Sequence, residues 1–194
     1  MFVLPYQAIA NRLGTELSGI APLIQCYLGE PAQDGEGNLL YTTPAVFIKF
    51  SPVRTQSRLI AFGLPSIQYG EMEVTVILID DCVYDDDRRI LDTGLNHLAK
   101  AEAIYLALQN FSPLLSDLPG NSALLGTQED AVIFNEMERV GITPDHGISN
   151  LLRTEQTFRC VANDLSALPG YIEILRNLDL ALSLEVTIDD LPFG

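Results

Sequence analysis

Ile67-Gln68-Tyr69-Gly70-Glu71-Met72-Glu73-Val74-Thr75-Val76-Ile77-Leu78-Ile79 is the stretch that decides the fold. Successive side chains of a strand point to opposite faces. Met72, Val74, Val76 and Leu78 therefore share one face, and Glu71, Glu73 and Thr75 share the other. One apolar face and one wet face, at least over the first half, predict an antiparallel sheet covered on one side. Upstream, Thr43-Pro44-Ala45-Val46-Phe47-Ile48-Lys49-Phe50 is β-rich, and Pro44 suits a strand start, where a missing N–H costs least. Between them, residues 51–66 hold Pro52, Arg54, Arg58 and Pro65 and predict a hairpin or arm. Downstream, residues 154–162 alternate cleanly, with Phe158, Cys160 and Ala162 on one face, and residues 182–188 are strand-like.

Helices flank these strands. Residues 6–28 carry Ile9, Leu13, Leu17, Ile20 and Ile24 at helical spacing, with Gly14, Gly19 and Pro22 expected to weaken or split the helix. Residues 29–38 read as an acidic loop. A second helix is expected over about 88–109. Leu91, Leu95, Leu98, Tyr105 and Leu108 form its expected packing stripe, interrupted by Glu102. Prolines and glycines break residues 111–152, which read as a long insert; within it 131–140 is either strand or short helix. The expectation is a single α+β domain over 1–194. Its sheet is mostly antiparallel and twisted, with the N-terminal and central helices on one face.

The chain has 194 residues and 47% hydrophobic residues, enough to bury roughly 70% of the surface of its unfolded form. Eleven Lys and Arg face 26 Asp and Glu, for a net charge of -15. Such a surface repels polyanions, which disfavours nucleic-acid binding over a broad face and docking on anionic membranes. No apolar run approaches the ~20 residues of a membrane span, and the N-terminus lacks a signal-peptide pattern. Cys26, Cys82 and Cys160 are odd in number and contain no CxxC. Cys26 and Cys160 read as small core residues of a protein kept in a reducing cytoplasm.

Residues that carry chemistry are sparse. The run Asp80-Asp81-Cys82-Val83-Tyr84-Asp85-Asp86-Asp87 lacks the alternation, central Gly and closing Glu of a calcium loop. Helix capping and solvation are the favoured reading, with partner binding and a divalent cation as alternatives. His97 has Thr93 and Ala101 one turn away, neither a usual metal ligand, so a surface or half-buried histidine is expected; His146 reads as a turn residue. No nucleophile elbow, phosphate loop or dinucleotide fingerprint occurs. No catalytic residue and no cofactor is therefore expected. Arg54 and Arg58 stand out against the acidic background: a solvated hairpin tip is the favoured reading, and the functional alternative is an arm that meets an acidic neighbour, Asp85, Asp86 and Asp87 of another copy being candidates.

The order of these elements, with Thr43–Phe50, the excursion, Glu73–Leu78, the acidic turn and an amphipathic helix, resembles the tail terminator or tail completion proteins of tailed bacteriophages and prophages. The resemblance covers about residues 6–110. It implies a virion structural protein, assembled in the bacterial cytoplasm. It further implies a ring, usually of six copies, that caps the tail tube and joins it to the head-side connector. No catalytic residues come with it. The long stretch at 111–152 departs from the shorter members. Two other classes compete: a metal-dependent hydrolase using the aspartate run, and an acidic, inhibitor-like module that binds a basic protein.

Overall fold

Strand β4 (Ile67–Asp81) and strand β6 (Leu151–Asp164) form a long antiparallel ladder from Gln68↔Asp164 to Asp81↔Leu151. Around it the computed structural model describes residues 2–18, 20, 23–27, 41–58, 67–81, 93–118, 131–145 and 151–165. Among these, α1 (Val3–Glu16), β1 (Leu23–Cys26), β2 (Ala45–Phe50) and β3 (Arg54–Arg58) precede β4, and α2 (Thr93–Leu108) and β5 (Glu138–Asp145) lie between β4 and β6. The sheet has six strands in the order β1-β2-β4-β6-β5, with β3 also paired to β4. All pairings are antiparallel except β1 with β2. This is the expected α+β architecture.

Ladder register sets the core. Met72 sits opposite Cys160, and Val74 opposite Phe158. Even-numbered residues of both strands therefore share one face, where they are buried with Val46 and Ile48 of β2. Both helices cover this face. Helix α1 contributes Leu4, Ala8, Ile9 and Leu13, and α2 contributes Ala101, Ile104, Ala107 and Leu108. The opposite face is wet over Glu71, Glu73 and Arg159, and Arg159 bonds Glu73 at 3.0 Å. At the other end of that face, Ala45, Phe47, Ile77 and Ile79 form a smaller cluster with Tyr27 and Tyr41 edge-on to Phe47. The second half of β4 is thus buried on both sides.

Two helical expectations change. The first helix ends at Glu16 rather than continuing to residue 28. Leu23–Cys26 pairs instead with Ala45–Ile48, which satisfies its backbone groups in the sheet. Ile20 and Ile24 still pack on the core, so their spacing fits a helix without being one. The second helix begins at Thr93 among the described residues, and its packing face is rotated from the expected stripe. His97, Ala101, Ile104 and Leu108 face the sheet, whereas Leu95 and Leu98 are exposed. Small residues at 101 and 107 let the helix axis approach the sheet, and that close packing selects the face. Cys26 is exposed at the end of an edge strand, against its expected place in the core, while Cys160 is buried as expected.

The broken stretch after α2 supplies core. Asn110 adopts a positive φ of 61°, which an Asn tolerates at a helix end, and its N–H bonds the Met137 carbonyl at 2.9 Å. Leu115, Leu118, Ile133, Phe134 and Met137 are buried, and Phe134 stacks edge-on with Phe111 at 5.8 Å. Of residues 131–140, only Glu138 onward is strand; Val132 and Phe134 make isolated bridges to Leu114 and Ala162. Residues 182–188 lie outside the described residues. Phe158→Ala, in the centre of the ladder, is expected to lower the unfolding free energy by about 3–5 kcal/mol in urea melts, through lost burial and a residual cavity.

Candidate functional site

A polar layer lies under α2, where an apolar interface would be expected. Asp80 near the end of β4, Thr154 and Gln156 of β6, and His97 of α2 are all buried. Their even numbers on β4 and β6 put the strand residues on the helix-covered face. His97, only 2% exposed, shares a 2.9 Å hydrogen bond between Nε2 and Thr154 Oγ1. Lys100, one helical turn on, pairs with Asp80 Oδ2. Gln156 Nε2 donates to the Ala101 carbonyl at 2.6 Å. At the outer side Arg139 of β5 lies 3.9 Å over the Tyr105 ring.

Thr154, His97 and Asp80 follow the order hydroxyl, imidazole, carboxylate that a nucleophilic triad would need. Their geometry does not support that chemistry. His97 Nδ1 is 3.9 Å from Asp80 Oδ2, beyond hydrogen-bond reach, and Lys100 already holds that oxygen. Thr154 is buried beneath the helix at 2% exposure. What the layer does is tie α2 to the sheet through directional bonds. His97 is thus fully buried, not on the surface or half-buried as expected, and Asp80 is an interior ion-pair member rather than a solvated cap. Neither was visible from spacing, because the partners come from three separate elements.

The aspartate run divides. Asp81 is exposed and accepts a 2.5 Å bond from the Thr43 hydroxyl. Asp85, Asp86 and Asp87 lie outside the described residues, as do Cys82 and His146. Among the described residues no group of three or more His, Cys, Asp or Glu could hold a metal ion, and Lys100 occupies the Asp80 carboxylate. No described helix is long and apolar enough to cross a membrane.

Arg54 and Arg58 both fall in β3, opposite Glu71 and Ile67 of β4. The excursion is therefore a paired arm that continues the line of β2 along β4; Ser51 N–H to the Glu73 carbonyl, 2.9 Å, bridges the join. Among the described residues no strand pairs with the outer edge of β3 or of β5. A cleft of about 300 Å³ runs between α1 and residues 111–118, where Arg12 bonds the Ala107 carbonyl, pairs with Glu16 and covers Phe111. Its one cation is thereby spent within the protein.

No family model matches the chain, and no curated protein matches it. Among solved structures, a chain of the "Virion of native gene transfer agent (GTA) particle" superposes with a TM-score of 0.43 at 9% identity, over 82% of this chain and 94% of that one. A likeness of that size carries no argument about function.

Two outcomes test this layer. Lys100→Met leaves Asp80 buried beside an apolar chain. It is expected to destabilise by about 2–4 kcal/mol in denaturant melts, somewhat under a fully buried pair because Lys100 keeps 21% of its side chain exposed. Adding Asp80→Asn should return most of that loss. Separately, burial pushes the Cys160 thiol up from 9.0 to about 12. Between about pH 9 and 12 the unfolded thiol ionises while the folded one keeps its proton, so this group lowers stability as pH rises through that window. A Cys82→Ser chain at pH 8 should show only Cys26 reacting with a thiol reagent when native, and Cys160 as well once unfolded.

Proposed function

We propose that the chain is a structural subunit of a tailed-phage-type particle. It would be a tail terminator or tail completion protein that closes into a ring, usually of six copies, capping the tail tube and joining it to the head-side connector. The observation that carries the reading is the β3–β4 arm, a strand pair bearing Arg54 and Arg58 on a chain of net charge -15, with an outer edge that no described strand covers. The element order that prompted the resemblance supports it too, since helix, strand, arm, long strand and helix follow one another as expected, with both helices on one face.

A ring needs heterologous contacts, in which two different patches of each copy meet. Here the patches are the arm, with Arg54 and Arg58, and the acidic residues Asp85, Asp86 and Asp87 of the next copy. Their complementarity sets orientation and encounter rate more than affinity. The remaining acidity suits a lumen through which DNA slides without sticking. The protein would assemble in the bacterial cytoplasm and end in the virion, touching copies of itself, the tail tube and the connector.

Native mass spectrometry or light scattering at physiological salt tests the reading. Assembly into a closed ring is expected, and a strictly monomeric protein at high concentration would sink it. Arg54→Glu with Arg58→Glu is expected to slow association about tenfold or more and to remove most of its salt dependence.

A further inference from the structure

Helix α2 is apolar on two opposite sides, and the fold uses only one. Leu95, Leu98 and Leu106, spaced with Glu102 along a single stripe, are 69%, 55% and 67% exposed. A helix apolar on both sides is normally buried on both. Three large side chains in a row mark a contact surface rather than scattered surface leucines.

The arm holds a matching group. β3 and β4 are paired out to Arg58↔Ile67. The residues joining them, outside the described set, read Leu59-Ile60-Ala61-Phe62-Gly63-Leu64-Pro65-Ser66, without a charge. Charge order matches as well. On the arm, Arg54 and Arg58 precede this apolar run; on the helix side, Asp85–Asp87 precede the leucine stripe, which itself contains Glu102.

The described part of the arm, ending at Arg58 and Ile67, lies well away from its own α2. His97 bonds Thr154, so α2 starts near the Asp80 end of β4, whereas the arm leaves from the Ile67 end. At ~3.3 Å per residue these ends are about 40 Å apart. Arg139 over Tyr105, with Arg139 opposite Phe158 and Phe158 opposite Val74, brings the far end of α2 only to mid-strand, still about 20 Å from Ile67.

We infer that residues 59–66 of one copy dock on the Leu95–Leu98–Leu106 stripe of the next, making an apolar, heterologous joint between copies. This rests on the proposed ring and adds its adhesive contact, the arginines and aspartates serving to orient it.

The test is a mixing experiment read by light scattering and native mass spectrometry. Leu98→Glu, with Leu106→Lys as a second variant of the stripe, and Phe62→Glu in the arm should each weaken association about thirtyfold or more, with unchanged circular dichroism. Mixing the Leu98→Glu and Phe62→Glu proteins should restore a two-chain complex and nothing larger, because the intact arm of the first meets the intact stripe of the second. Assembly that persists in both stripe variants overturns the joint while leaving the ring standing. So does a mixture that stays monomeric, or a stripe variant that loses thermal stability without losing assembly, which would mean the stripe is covered by its own chain. A monomeric unmutated protein overturns the ring itself, and the joint with it.

Discussion

The β4–β6 ladder is the constraint on which the other elements depend. It runs nearly the full length of both strands and is buried on the helix side from Gly70 to Asp80. A slip of one residue would turn Met72, Val74 and Val76 to the wet face and bring Glu71 and Glu73 into the core, so the register is specified by burial alone. β2 and β3 hang on one side of β4, β5 on the far side of β6, and both helices lie across the shared face. The arm exists because β4 is long enough to pair with β2 over one half and β3 over the other.

The polar layer under α2 answers a different need. An apolar helix face on an apolar sheet can slide or rotate at little energetic penalty, and α2 has a second apolar stripe that could compete for the sheet. Burying an ion pair adds little net stability, because desolvation offsets the attraction. The directional bonds of His97 to Thr154 and Lys100 to Asp80 exist only in one rotation and one register of the helix. They position α2, and in doing so they turn Leu95, Leu98 and Leu106 outward.

The surface that results is strongly acidic. Strand edges left unpaired among the described residues would invite indiscriminate pairing in a neutral protein. A net charge of -15 keeps copies apart except where basic residues meet acidic ones. Few basic residues are available, and two of them sit on the arm.

By itself the sequence determined what local patterning can determine. Strand alternation at 67–79 and 154–162 placed β4 and β6 and their core faces, since a period of two has a single meaning on a half-covered sheet. The α+β class and the burial of Cys160 followed from the same patterns. Where a pattern had two solutions, tertiary structure chose. Ile20 and Ile24 fitted a helix and became turn and strand; Leu95 and Leu98 fitted the packing stripe of α2 and are exposed, the sheet taking the face with His97, Ala101 and Ile104 instead. The polar layer joins Asp80, His97, Lys100 and Thr154, residues up to 74 positions apart in number (154 − 80), and no spacing rule links them until the ladder brings Asp80 opposite Leu152, two residues from Thr154. Patterning acts over a few residues, whereas a buried polar group needs its partner in space, and only the folded chain supplies that.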